Sequence, residues 1–205
     1  MIERNLGMLI DLSLCIGCNA CAVACKQEND VPIGCFNTWV ESWDVDDAGS
    51  IRRANVPKLC NHCTDAPCVK VCPTGASYRT DDGLVMVDPE KCIGCKYCMA
   101  ACPFQVRYQV KTGEIDKCTF CEHRTSQGLL PACVSTCVTR ARYFGDLSDP
   151  SSDISKKMEE AETVALYEDL NLGSRVFYIG LDEIEAMPVV SAVHKGGNVL
   201  KRYKG

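Results

Sequence analysis

The sequence predicts an α+β fold of two repeated, cysteine-holding units, with a β-rich insert and an extended C-terminal tail. Three observations predict it. Seventeen cysteines stand in 205 residues, and sixteen of them form four groups of four. Two types of group alternate along the chain, as an internal repeat would. The apolar runs between them are short, none approaching the roughly 20 residues of a membrane span. Aromatic residues are only 7%, so something bound by cysteine must carry part of the folding. A formal net charge of −5 argues against a nucleic-acid partner.

Group one is Cys15, Cys18, Cys21 and Cys25, spaced C-x2-C-x2-C-x3-C. Group two is Cys60, Cys63, Cys68 and Cys72, spaced C-x2-C-x4-C-x3-C and followed by Pro73. Group three, Cys92, Cys95, Cys98 and Cys102, repeats the spacing of group one and precedes Pro103. Group four is Cys118, Cys121, Cys133 and Cys137, spaced C-x2-C-x11-C-x3-C. Disulfides fit poorly: cysteines two residues apart bridge badly, the count is odd, and Met1–Gly7 has neither an apolar h-region nor a twin arginine. Zinc uses pairs of C-x2-C hooks but needs no third cysteine two residues on, and it usually recruits histidine. C-x2-C-x2-C-x3-C-P is the bacterial ferredoxin run, whose fourth cysteine ligates the other cluster. Four related quartets point to four [4Fe–4S] clusters in two ferredoxin-like units.

Taken in order, Leu6 to Asp11 reads as a strand leading into group one, and the same apolar end, Asp and Cys-Ile-Gly-Cys hook recur from Val87 to Cys95. Gly17 and Gly94 let the hooks wrap closely and aim amides at sulfur. Asp30 to Ile51 is a connecting region, β-like over Trp39–Trp43, with a turn over Asp44–Gly49. Asp81-Asp82-Gly83 before Leu84–Val87 reads as a hairpin, and Tyr108–Thr112 with Gly113 as another. A helix is expected from Asp153 to Leu170, capped by Ser151 or Ser152, then a strand over Arg175–Ile179. Leu181 to Gly205 is a polar tail with a basic end, Lys195, Lys201, Arg202 and Lys204. The expected division is 1–50 plus 104–145 as the first unit, 51–103 as the second, and 146–205 as a docking segment without a core of its own.

No catalytic constellation is found, and no Gly-rich nucleotide loop. His62 and His123 read as loop residues donating to sulfur or solvent. Cys35, outside the groups, reads as a small buried apolar residue. The insert and the long segment after Cys137 favour a subunit of a complex over a free polyferredoxin.

The four quartets, with Cys72-Pro73-Thr74-Gly75-Ala76, Cys102-Pro103-Phe104, Lys117–Arg124 and Phe144–Pro150, resemble the four-cluster electron-transfer subunit of the dimethyl sulfoxide reductase superfamily. The resemblance covers about residues 6 to 180 and is nearest to subunits of polysulfide, thiosulfate, tetrathionate and respiratory arsenate reductases. It implies clusters held by Cys15, Cys18, Cys21 and Cys137; by Cys118, Cys121, Cys133 and Cys25; by Cys92, Cys95, Cys98 and Cys72; and by Cys60, Cys63, Cys68 and Cys102, forming a wire in that order from the catalytic partner outward. Nitrate reductase relatives carry Trp at the place of Cys95 and hold a three-iron cluster there; Cys95 implies four irons. The implied role is electron transport in anaerobic respiration. The implied partners are a large chain with molybdenum or tungsten on a bis-pyranopterin and, in some relatives, a membrane quinol-oxidising or anchor subunit; soluble transhydroxylase and dehydroxylase relatives lack the latter. The implied place is peripheral to the cytoplasmic membrane, on the outer face by co-export with the catalytic chain, or in the cytoplasm.

Overall fold

A computed structural model gives the fold and describes residues 4–194 and 197; the basic end at Lys195, Lys201, Arg202 and Lys204 lies outside the described residues. In chain order the first elements are β1 (Leu6–Asp11), α1 (Ala20–Glu28), β2 (Thr38–Asp47), β3 (Ser50–Leu59) and α2 (Pro67–Lys70). The middle contributes β4 (Ser77–Arg79), β5 (Val85–Val87), α3 (Tyr97–Ala100), β6 (Tyr108–Gln109), β7 (Ile115–Asp116), α4 (Glu122–Thr125) and α5 (Ala132–Ser135). Then follow β8 (Arg142–Asp146), α6 (Asp153–Glu160), β9 (Val176–Ile179), α7 (Leu181–Ala186) and β10 (Val189–His194). The fold is mixed α+β with small sheets and short helices. Among the described residues no helix is long and apolar enough to cross a membrane.

The main sheet has the order β8-β1-β9, with β1 antiparallel to β8 and parallel to β9. All six residues of β1 are buried. That is why Leu6-Gly7-Met8-Leu9-Ile10 reads as a continuous apolar run rather than an alternation. Helix α6 packs on β1 and β8, with Ile154 fully buried and its Cγ2 close over Gly145.

The second sheet has the order β10-β2-β3. The turn expected over Asp44–Gly49 is only Ala48-Gly49, and β2 runs on through Asp47. Both turn residues have positive φ, 51° and 89°, the twist that joins paired strands tightly. The acidic run stays in the strand because its charges are met across the ladder. Arg53 lies 2.7 Å from Asp44 and Arg52 3.3 Å from Asp47, while Val45 between them points inward and is buried. This hairpin straddles the boundary expected after residue 50. Hairpins β4–β5 and β6–β7 sit where the turn signals put them.

Two expectations for the C-terminal part are corrected. The helix from Asp153 stops at Glu160, although Ser152 does cap it, its Oγ accepting from the Ser155 amide at 3.2 Å. Ala161 is extended and Val164 bridges to Tyr178, so a strand-like pairing ends the helix. The segment after Gly145 also has a place in this chain's own core. Val176 and Tyr178 are fully buried, and the Tyr178 hydroxyl donates to the Pro57 carbonyl at 2.8 Å. The amides of Thr64 and Asp65 donate to Gly173 and Leu172, and the Arg175 amide donates to Asn61, so this stretch backs the group-two loop. Hydrogen exchange on the iron-loaded chain without any partner is expected to protect Val176–Ile179 as strongly as Met8–Ile10. Fast exchange confined to Val176–Ile179 would detach β9 from the sheet.

Candidate iron–sulfur sites

Each hook is a loop that turns back on its own sulfur. Gly17 and Gly94 have φ of 69° and 66°, a region costly for residues with a Cβ. A Cβ on Gly17 would stand 2.5 Å from Asn55 Oδ1, whereas one on Gly94 would run into the Gly113 carbonyl. The side chain can move and the backbone cannot. Gly94→Ala is therefore expected to lower thermal stability and iron retention more than Gly17→Ala, each costing at least roughly 1–2 kcal/mol in backbone strain. Equal losses would show that strain alone, not the close approach, makes these glycines necessary.

The third cysteine of every group lies on a helix: Cys21 on α1, Cys68 on α2, Cys98 on α3 and Cys133 on α5. The fourth is carried away from its own hook. Cys25 lines one small cavity with Cys118, Cys121, Cys133, Met8 and Phe120. Cys72 lines another with Cys92, Cys95, Cys98 and Ile115. Cys102, Cys60 and Cys68 face Cys63. Cys137 and Cys21 face Cys15, whose neighbour Cys18 is exposed. None of the seventeen cysteines is disulfide-bonded. Cys35 is buried beside Val31 and Tyr108.

Burial sets the electrostatics. Desolvation, and then the neighbouring thiols Cys60, Cys102 and Cys68, push Cys63 up to about 12. Desolvation likewise raises Cys133 to about 11, against the opposing pull of Arg142, and pushes Cys25 and Cys118 up as well. Such thiols become thiolates only if a cationic centre compensates their desolvation. The surroundings are prepared for negative sulfur. The amides of Ser77, Ile115, Phe120 and Ala141 donate to Cys72, Cys92, Cys118 and Cys137 at 3.3–3.4 Å. Arg107 Nη2 donates to Cys68 Sγ at 3.0 Å and Arg142 Nη2 to Cys21 Sγ at 3.4 Å. Among the described residues no three ligating side chains close on one point as around a single ion; two of the four thiol sets stand around small cavities instead. An all-sulfur donor set with amides and guanidinium groups aimed at it fits an iron–sulfur cluster.

His62 departs from its sequence reading. It is fully buried, its Nδ1 accepts from the Val85 amide at 3.0 Å, and its ring stacks on Phe120 at 3.9 Å. It donates to no sulfur. His123 lies at the surface and pairs with Glu28 at 2.8 Å. The buried cations Arg107, Lys117 and Arg142 were missed in the sequence, although each arginine stands five residues after the last cysteine of its group.

The exposure of the cysteines reorders the wire. The Cys60, Cys63, Cys68 and Cys102 set, implied to lie last and nearest an external donor, is wholly buried. Cys95 is exposed, with Cys72 and Cys92 half-buried beside it. A terminus that exchanges electrons with another molecule needs a short path to the surface, so this burial favours, for the last two places, the opposite of the order that the resemblance implies. The contacts between sets follow the same order: Cys133 faces Cys21, Cys118 faces Cys60, and Cys98 faces Cys68. Apolar residues stand exposed at both ends, Leu14, Ile16 and Val138 at one and Val71, Ile93 and Tyr97 at the other.

Residues 51–147 match the family described as a 4Fe-4S dicluster domain, and residues 8–28 that described as a 4Fe-4S binding domain. A tetrathionate reductase subunit of Salmonella typhimurium is 45% identical, over 92% of this chain and 77% of its own length. A polysulfide reductase chain of Wolinella succinogenes is 41% identical, over 87% of this chain and 95% of its own. The arsenate respiratory reductase iron–sulfur subunit of a Shewanella species is 36% identical, over 85% and 96%.

Proposed function

We propose, for a chain that belongs to the family of iron–sulfur electron-transfer subunits of molybdenum-type reductases, that it holds four [4Fe–4S] clusters in one line between an external donor and a molybdopterin catalytic subunit. The observation that carries this reading is the pattern of burial: two wholly buried thiol sets lie between two that reach the surface. The sixteen cysteines would hold the clusters in the sets implied by the resemblance: Cys15, Cys18, Cys21 with Cys137; Cys118, Cys121, Cys133 with Cys25; Cys60, Cys63, Cys68 with Cys102; and Cys92, Cys95, Cys98 with Cys72. When bound, such clusters take up and release one electron each.

The protein's own part is to hold thiols, exclude water and supply positive charge. Phe120 and His62 stack between the Cys118 and Cys60 hooks and keep water out of that junction. The two units, 1–50 with 104–145 and 51–103, remain our division, with the β2–β3 hairpin strapping one to the other. The exposed apolar residues around Cys15 and Cys18 would seat the catalytic chain, and those around Cys95 the donor, a membrane quinol-oxidising subunit or a soluble one. A free carrier has no use for two such apolar ends. The complex would lie against the cytoplasmic membrane, on its outer face if exported together with the catalytic chain. Purification from the native host is expected to give about sixteen iron and sixteen sulfide per chain, together with a large molybdenum- or tungsten-containing partner. About eight iron, or a chain that runs alone, would refute the reading.

A further inference from the structure

We propose that Arg107 and Arg142 are a matched pair of positioning residues, each a shared counter-charge for both clusters of one unit: Arg107 for the second unit, from just beyond its end, and Arg142 for the first. The proposal rests on the four-cluster reading. Both side chains are buried, at 2% and 4% exposure. A buried guanidinium is costly unless an anion pairs with it. Their hydrogen-bond partners are not carboxylates. Arg107 Nη2 donates to Cys68 Sγ at 3.0 Å and Ser77 Oγ at 2.9 Å. Arg142 Nη2 donates to Cys21 Sγ at 3.4 Å and Thr38 Oγ1 at 3.1 Å, and its Nη1 reaches only Met8 Sδ. Arg107 Nη1 has no partner among the described residues. Each guanidinium is thus half-satisfied by neutral hydroxyls and otherwise directed at sulfur.

Neither arginine serves one thiol set alone. Arg107 donates to Cys68 and also faces Cys98, and these belong to different sets of the second unit. Arg142 faces Cys21 and Cys15 on one side and Cys133 on the other, which span the two sets of the first unit. Each stands five residues after the last cysteine of the later group in the unit whose clusters it faces, Cys102 or Cys137. A fixed positive charge between two centres makes adding an electron easier at both. It also screens their mutual repulsion, so that the second centre is not shut off once the first is reduced. Lys could supply the charge, but a planar fork reaches two sulfurs and a hydroxyl at once.

The test is a redox titration of the purified complex, followed by the electron paramagnetic resonance of its reduced clusters. R107Q is expected to lower the potentials of two clusters by about tenfold in their oxidised-to-reduced ratio, which is 59 mV for one electron, and to leave the other two in place. R142Q should shift the complementary two. Sixteen iron in the variant, with all four signals moved alike or none moved, would overturn the proposal while leaving the four-cluster reading intact; fewer than four clusters in the unaltered complex would instead overturn that reading. If R107Q cannot hold iron, R107K decides. Full iron with near-parental potentials supports the counter-charge, and full iron with the pair shifted as far as any neutral substitution would predict overturns it.

Discussion

Stripping the iron is expected to unfold the chain rather than merely bleach it. Ten of the sixteen grouped cysteines are buried, and eight of these sit inside the two main apolar clusters with Met8, Leu59, Phe120 and Val85. Without iron they become neutral thiols, and Arg107 and Arg142 are left buried with no anionic sulfur beside them. An uncompensated buried charge costs several kcal/mol, and a domain's whole stability is about 5–15 kcal/mol. Two such charges take up most of that margin. Anaerobic chelation should therefore remove the strand and helix signal in far-ultraviolet circular dichroism and expand the chain on gel filtration. A compact iron-free chain that keeps its secondary structure would show that the apolar clusters suffice by themselves.

The second large effect is a contrast between two cysteines. Cys63→Ser changes a buried set whose neighbours are Cys60, Cys68 and Cys102, in the middle of the proposed wire, and should leave little folded protein. Cys95→Ser changes an exposed residue at the end. That chain should fold, keep the other three clusters, and lose or convert one. Turnover driven by the physiological donor should fall at least a hundredfold, while an artificial reductant that reaches the partner directly should still support it. Equal damage from the two substitutions would remove the reordered wire.

Much of the site was legible because metal ligation writes itself into spacing. The hooks, the crossing fourth cysteines and the two small hairpins needed only local patterns. What was not legible depended on distant partners. Asp44–Asp47 looks like a turn until Arg52 and Arg53 lie opposite it. Ala161–Leu166 keeps a helical apolar spacing, but Val164 has a strand to meet in Tyr178. Arg175–Ile179 was seen as a strand, yet nothing nearby said that it joins β1 in parallel. Arg107 and Arg142 look like ordinary surface arginines because burial beside sulfur leaves no mark on neighbouring residues. The order of the wire, too, is a matter of depth, which spacing does not record.

The placement of β1 has a consequence for how the protein is made. β1 emerges from the ribosome well before its sheet partners, Arg142–Asp146 and Val176–Ile179. At ~5–20 residues per second, its six apolar-rich residues wait on the order of ten seconds or more with both edges bare. Over the same interval Cys15, Cys18 and Cys21 wait for Cys137. The middle stretch from Cys60 to Cys102 has its thiols close together in sequence and is complete much earlier. Loading with iron should therefore run from the inside of the chain outward, and the first unit should close last. A nascent chain halted once the second unit has emerged would carry that unit beside an unpaired strand, which is the form most in need of a holding chaperone.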